Sequence, residues 1–154
     1  MAKLENDKLK PAIESLAFYT RYVDDIFCLA NEGQQPEQIL AQFNSSHQSL
    51  RFTLEKETNN QLAFLDVNLT RTVDGTAQQS VHRKKTHSGQ YINFNNFVPM
   101  RYKRNLIKNL TARARKICSE DTLGAELQHL KDIFRENGYP ERFIERNMRP
   151  PVIW

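Results

Sequence analysis

Residues 16–31 read LAFYTRYVDDIFCLAN, and two adjacent carboxylates, Asp24 and Asp25, lie at the centre of this apolar and aromatic segment. Aromatic and β-branched residues favour strands, whereas Asp tolerates turn conformations because its side chain can bond nearby backbone amides. The pattern therefore predicts a β-hairpin, with two short strands and a tight turn that presents both carboxylates at one edge.

The sequence around this hairpin predicts one helix and an antiparallel β-meander. Pro36 suits the first turn of a helix, and apolar residues at helical spacing continue it from residue 37 to about residue 47. Alternation of apolar and polar residues predicts one strand over residues 50–55 and another over residues 63–70. The hairpin signal Asp74-Gly75 follows, and residues 78–83 can run back as a third strand.

The last third of the chain predicts three consecutive helices. Apolar residues recur at helical spacing over residues 101–118, then again in a second helix and in a short third one. Short turns join these helices, so they form a compact bundle or a helix-turn-helix-like unit. The residues that bound the second and third helices are Ser119 or Thr122, Asn137-Gly138, Pro140 and Pro150-Pro151.

Charge is unevenly distributed along the 154 residues, although the net charge is only +4. Residues 75–118 carry ten Lys or Arg and no Asp or Glu, whereas residues 1–74 carry seven basic and eleven acidic side chains. Such a block predicts a surface that faces a polyanion such as nucleic acid, the alternative being a solvated face with a chance bias. The candidate contacts are Arg83, Lys84, Lys85, Arg101, Lys103, Arg104 and Lys108.

Three aromatic residues in this block, Tyr91, Phe94 and Phe97, are interleaved with asparagines. They would stack on bases or sugars, or else form core aromatics under a loop. The cysteines, Cys28 and Cys118, lack the spacing of a metal site, so we expect reduced thiols. Neither a membrane-spanning apolar run nor a secretory signal is recognisable, so we expect an intracellular protein, nuclear or cytoplasmic, without a membrane partner.

The carboxylate pair suits divalent cations. Mg²⁺ prefers oxygen ligands and is commonly bound by one or two carboxylates together with substrate phosphates. Two such ions, ~3.5–4 Å apart, stabilise both the attacking and the leaving oxygen in phosphoryl transfer. The charge of the metal also explains how two adjacent carboxylates remain ionised, since their mutual repulsion would otherwise raise the pKa of one of them.

Residues 22–25, YVDD, resemble the YxDD box of reverse transcriptases. Residues 64–69, FLDVNL, are similar to a strand that follows this box in the retrotransposon reverse transcriptases of the Penelope-like type. Residues 81–87, VHRKKTH, resemble another stretch of these enzymes, with Lys85 in place of the commoner proline. Residues 137–140, NGYP, are typical of their helical tail, which is similar to a helix-turn-helix domain found at the end of many animal retroelement polymerases.

The resemblance implies an α+β fold with two parts. Residues 1–98 would be the C-terminal part of a polymerase palm, made of the β-hairpin, the helix and the antiparallel meander. Residues 99–149 would be a helical thumb or a helix-turn-helix-like domain. As implied functional residues, Asp24 and Asp25 would be catalytic and hold Mg²⁺ or Mn²⁺, and Tyr22 would contact the primer end or the incoming nucleotide. The implied partners are an RNA template and a DNA primer or duplex.

Only 23 residues precede Asp24. A reverse transcriptase also needs a metal-binding Asp on an earlier palm strand, as well as the fingers. We therefore expect a fragment of such a polymerase that does not extend a primer by itself, unless another chain completes the site. Two alternatives remain open, a nucleic-acid-binding module with a relic acidic pair and a structural fragment. The sequence leaves the oligomeric state undefined.

Overall fold

The computed structural model describes residues 2–150, so Pro151, predicted to help end the last helix, lies outside the described residues. This part of the chain contains six helices and two antiparallel sheets of two and three strands, which confirms the predicted α+β class. It divides into two compact units, and the boundary along the chain lies between Asn59 and Asn60. The assignment of residues 1–98 to a polymerase palm stays a prediction.

The N-terminal unit contains the predicted hairpin and helix. Tyr22 is paired with Asp25, so Val23 and Asp24 form a two-residue turn. The hairpin is therefore confirmed, although its turn lies one residue before the acidic pair at which the sequence predicts it. The helix after Pro36 is confirmed as well. The elements of this unit are α1 (Ala2–Glu5), α2 (Lys10–Glu14), β1 (Phe18–Tyr22), β2 (Asp25–Leu29) and α3 (Pro36–Ser45).

The predicted strand over residues 50–55 is wrong, since this segment has no regular secondary structure. The side-chain amide of Asn44 on α3 contacts the backbone of Phe52 twice: its oxygen accepts from the Phe52 N–H at 2.7 Å, and its nitrogen donates to the Phe52 carbonyl at 3.2 Å. The Phe52 ring also packs edge-on against buried Phe43, with ring centres 5.4 Å apart. Phe52, the central apolar residue of the alternation, thus packs against a helix and is not part of a sheet.

The C-terminal unit begins with a three-stranded sheet, β3 (Gln61–Phe64), β4 (Val67–Arg71) and β5 (Ala77–Val81), in that order. The single strand predicted over residues 63–70 is wrong, because the chain reverses at Leu65-Asp66 and Phe64 pairs with Val67. Paired residues share a face, so the apolar face changes from even to odd positions at this turn. The predicted third strand is confirmed as β5.

Three helices complete this unit, as predicted: α4 (Met100–Ile117), α5 (Glu120–Glu136) and α6 (Glu141–Met148). Each has one apolar stripe, and the stripes bury one another, which is the main source of stability for helices of this length. The buried core is formed by Ile107, Ala114, Leu130, Phe134, Tyr139, Ile144 and Met148.

The turn between α5 and α6 is a Schellman motif. Gly138 has a φ of +80°, and its N–H donates to the Arg135 carbonyl at 2.9 Å. The Tyr139 N–H donates to the Phe134 carbonyl at 3.0 Å, and the two rings are 5.4 Å apart, which is the hydrophobic contact typical of this cap. The predicted left-handed cap at Gly138 is confirmed.

The two glycines of this helical region provide a matched pair of substitutions. A Cβ on Gly138 would meet no atom closer than 3.6 Å, so Gly138→Ala is strained by its positive φ alone. We expect it to lower the free energy of unfolding by roughly 1–2 kcal/mol. Gly124, inside α5 with open space around it, should behave oppositely, and Gly124→Ala should stabilise by about 0.5–1 kcal/mol. Denaturant unfolding measures both, and equal shifts would contradict the capping role.

Candidate nucleic-acid interface

A loop segment before α4 is fastened to the α5–α6 turn by Asn137. The side-chain amide of Asn137 accepts from the Tyr91 N–H at 3.0 Å and donates to the carbonyls of Gly89 and Ile133 at 2.9 and 2.8 Å. Its backbone carbonyl accepts from the Phe94 N–H at 3.0 Å. We call residues 89–96 the strap, because these bonds hold the segment against the end of α5.

Lys103 on α4 fastens the other end of the strap. Its side chain is only 4% exposed, and its ammonium donates to the carbonyls of Phe94 and Asn96, both at 2.6 Å. The ammonium also lies 5.3 Å from the centre of the Phe94 ring, within the range of a cation–π contact. Lys103 was a predicted nucleic-acid contact, and the structure instead places its charge inside the domain.

The aromatic residues of this region divide into two groups. The Phe94 ring lies 5.3 Å from both the Tyr139 and the Phe143 rings, and the Tyr91 ring lies 6.4 Å from that of Phe134. Tyr91 and Phe94 are thus core aromatics, the alternative that the sequence left open. Phe97, by contrast, is fully exposed.

Arg83 is also committed to a contact within the protein. Its guanidinium forms a bidentate ion pair with the carboxylate of Glu126 on α5. One of the two N–H donors lies 2.8 Å from its carboxylate oxygen. Hydrogen bonding to that carboxylate raises the pKa of Arg83 above its ordinary value, against the opposing effect of burial. Lys84 and Lys85, the next residues, are exposed.

A basic groove lies between α4 and α6. It has a volume of about 310 Å³ and is lined by Arg104 and Lys108 of α4 and by Phe143, Arg146 and Asn147 of α6. Within residues 2–150, Arg104, Lys108 and Arg146 form no ion pair, whereas Arg residues elsewhere in this unit do. A concave surface with one sign of charge concentrates the electrostatic field. Charge counting along the sequence missed Arg146, because it lies outside the acid-free block.

A comparison with protein families finds a match in the C-terminal unit. Residues 90–149 match the family model described as an animal helix-turn-helix domain, which spans the strap and the three helices α4–α6. No curated protein and no solved structure matches the chain. The predicted helix-turn-helix-like tail is therefore confirmed. Among the described residues, no helix combines the length and the hydropathy needed to cross a bilayer.

The acidic hairpin of the N-terminal unit is fixed by Arg21. Its guanidinium donates to the Val23 carbonyl at 2.8 Å and to the Glu5 carboxylate at 2.5 and 3.1 Å, so it joins the turn to α1. Val23 itself has a φ of 55°, an uncommon conformation for a β-branched residue. The hydrogen bonds from Arg21, and a weaker one from Tyr19, hold the pKa of Glu5 below its ordinary value.

Asp24 and Asp25 are both exposed at this turn, and Tyr22 is 62% exposed. Their carboxylates are the oxygen donors that Mg²⁺ and Mn²⁺ prefer, but a divalent cation needs more ligands than this pair supplies. Across residues 2–150, no three His, Cys, Asp or Glu side chains are grouped so as to hold a metal ion. The metal-binding and catalytic assignments of Asp24 and Asp25 stay predictions, as does the substrate contact of Tyr22.

The buried ammonium of Lys103 leads to a stability prediction. Lys103→Met keeps most of the side-chain length but leaves the Phe94 and Asn96 carbonyls without their charged donor. We expect the free energy of unfolding to fall by about 1.5–3 kcal/mol. Lys108→Met, an exposed change on the same helix, should alter it by less than about 0.5 kcal/mol. Denaturant unfolding distinguishes the two, and a neutral Lys103→Met would mean that the ammonium does not hold the strap.

Proposed function

We propose that this chain binds nucleic acid through its helix-turn-helix domain, with the basic groove between α4 and α6 contacting the phosphate backbone. The observation that carries the proposal is the convergence of Arg104, Lys108 and Arg146 on one concave surface. None of the three is neutralised by an acidic side chain among the described residues. Their positive charge is therefore available to an external anion.

The chemistry of these side chains suits phosphate. The planar guanidinium groups of Arg104 and Arg146 can each present two N–H donors to a phosphate, whereas Lys108 acts as a compact point charge. Arg104 and Lys108 are four residues apart on α4 and so face the same way. Contacts of this kind position a protein on nucleic acid without reading its sequence, and they release counterions, so binding weakens as salt increases.

The second helix of a helix-turn-helix ordinarily enters the major groove with its first residues near the base edges. In this chain, Glu141 at the start of α6 is held by the Arg135 guanidinium at 2.7 and 2.8 Å. That ion pair lowers the pKa of Glu141 and so keeps a negative charge at this end of the helix. Arg146 lies in the last turn of α6 and lines the basic groove, so we place the phosphate contact at that end.

Charge neutralisation tests the proposed groove. The triple variant R104Q/K108Q/R146Q should bind a labelled 20-base-pair duplex at least tenfold more weakly at about 100 mM salt. The slope of log K against log salt concentration should become shallower by about 2 to 3, because each phosphate contact in duplex DNA contributes about 0.9. Fluorescence anisotropy over a salt series measures both quantities.

The matched control removes three positive charges from the N-terminal unit. Lys3, Lys8 and Lys10 are exposed, and the variant K3Q/K8Q/K10Q has the same net charge as the groove variant. It should retain the wild-type slope and affinity to within about twofold. Equal losses of affinity in both variants would mean that net charge, and not the groove, governs binding. Undetectable binding by the wild type would contradict the proposal.

We infer, as a second and finer function, that residues 1–98 derive from the palm of a retroelement reverse transcriptase. The specific observation is the geometry of the hairpin, since its two-residue turn presents Asp24 at the tip and Asp25 opposite Tyr22. In an intact enzyme these carboxylates would hold Mg²⁺ or Mn²⁺, which would stabilise charge during nucleotidyl transfer. Tyr22, exposed beside them, would contact the primer end or the incoming nucleotide.

Paramagnetic Mn²⁺ tests this acidic pair directly. In NMR spectra of the full chain, Mn²⁺ should broaden the amide signals of residues 23–26 before those of other turns, because two adjacent carboxylates attract the ion more than one does. Asp24→Asn and Asp25→Asn should each weaken this selective broadening. Asp74→Asn, at the exposed turn between β4 and β5, is the matched control and should leave it unchanged. Uniform broadening at all exposed carboxylates would contradict the assignment.

A further inference from the structure

The start of α4 carries an exposed apolar patch within six residues of sequence. Phe97 is fully exposed, while Met100 and Tyr102 are 45% and 47% exposed. Single exposed apolar residues are common on proteins, but grouped large ones mark a binding surface. Within the C-terminal unit, these three are the exposed large apolar side chains that lie closest together in sequence.

Positive charge borders this patch. The Arg101 guanidinium lies over the Tyr102 ring, 4.8 Å from its centre, and donates to the Tyr102 hydroxyl at 2.9 Å. Arg101, Arg104 and Lys108 follow one another at spacings of three and four residues, so they lie along one edge of α4. That edge leads from the aromatic patch directly into the basic groove.

The backbone that carries Phe97 is held in place by the hydrogen bonds around it. Its N–H donates to the side-chain oxygen of Asn96 at 2.8 Å. The Asn96 N–H donates to the Asn93 carbonyl at 3.1 Å, and the Asn96 carbonyl accepts from the buried ammonium of Lys103 at 2.6 Å. A ring presented from an ordered backbone loses less conformational entropy when it binds a partner.

We propose that Phe97, together with the stacked pair Arg101 and Tyr102, forms a platform for unpaired nucleobases, so that the preferred ligand is single-stranded nucleic acid. The inference rests on the proposed function, because the adjoining groove holds the phosphates of the same strand. An exposed aromatic ring gains most from a base whose face is free, and bases inside a duplex already stack on one another. The acid-free block from residue 75 to residue 118 complements the polyanionic backbone.

The variant Phe97→Ala tests the platform with little risk to folding, because the ring is fully exposed. It should weaken binding of a labelled 20-nucleotide oligothymidine by at least about fivefold, since the ring on which a base would stack is removed. Binding of the 20-base-pair duplex and the salt slope should change by less than about twofold and about 0.5 respectively, because no phosphate contact is lost. Phe97→Trp should retain the single-strand affinity.

The matched control is Val73→Ala, which removes another fully exposed apolar side chain of the same unit, in the turn between β4 and β5. It should leave both affinities unchanged. If Phe97→Ala weakened neither ligand, or weakened duplex and single strand equally, the platform would be overturned. The groove variant R104Q/K108Q/R146Q tests the proposed function independently. If it lost affinity while Phe97→Ala kept the wild-type affinity, the proposed function would stand and only this inference would be wrong.

Discussion

The carboxamide of Asn137 is the contact on which the helix-turn-helix domain depends. It ends α5, fixes Gly89 and Tyr91 of the strap, and lies directly before the glycine that reverses the chain into α6. An amide side chain has both donor and acceptor groups, so it can satisfy strap backbone groups of both kinds at once. Without it, the strap would have polar backbone groups close to an aromatic core and no partner for them, which costs more than the bonds themselves contribute.

Contacts within the C-terminal unit engage several of its basic side chains. Lys103 holds the strap, Arg83 pairs with Glu126, and Arg113 pairs with Asp66. At least three of the ten basic residues in the acid-free block are therefore engaged within the protein. Arg101, Arg104 and Lys108 are left at the exposed edge of α4. Fewer basic side chains are therefore available at the surface than the sequence indicates. Those on α4 lie along one edge of the helix.

The sequence predicted most of the helices and the acidic hairpin because their signals are local. Pro36, Gly138 and the acidic pair Asp24-Asp25 each act on neighbouring backbone, although the turn itself lies one residue earlier, at Val23-Asp24. The apolar spacing of α4 and α5 is unambiguous. The two errors in the strands had a different cause. At Leu65 the chain turns with no glycine or asparagine to mark it, and residues 50–55 alternate like a strand although a side chain of α3 binds their backbone.

The site was harder to predict than the fold, because charge along a sequence does not reveal direction. Lys103 and Lys108 look equivalent in the sequence, yet one is buried and the other lines the groove. Arg146 lies beside Arg104 and Lys108 only because α6 packs on α4. No local sequence pattern predicts such a long-range contact. The one local signal for Arg146 is that it directly precedes Asn147, which belongs to the buried stripe of α6.

The contact between Asn44 and Phe52 also bears on strand pairing between molecules. Residues 50–55, LRFTLE, combine β-branched, aromatic and leucine side chains, a composition that readily adds as a strand to an exposed sheet edge of a neighbouring molecule. The Asn44 amide occupies both the N–H and the carbonyl of the central residue of this segment. These two groups of Phe52 are therefore already bonded and are not free to pair with a strand of a neighbouring molecule.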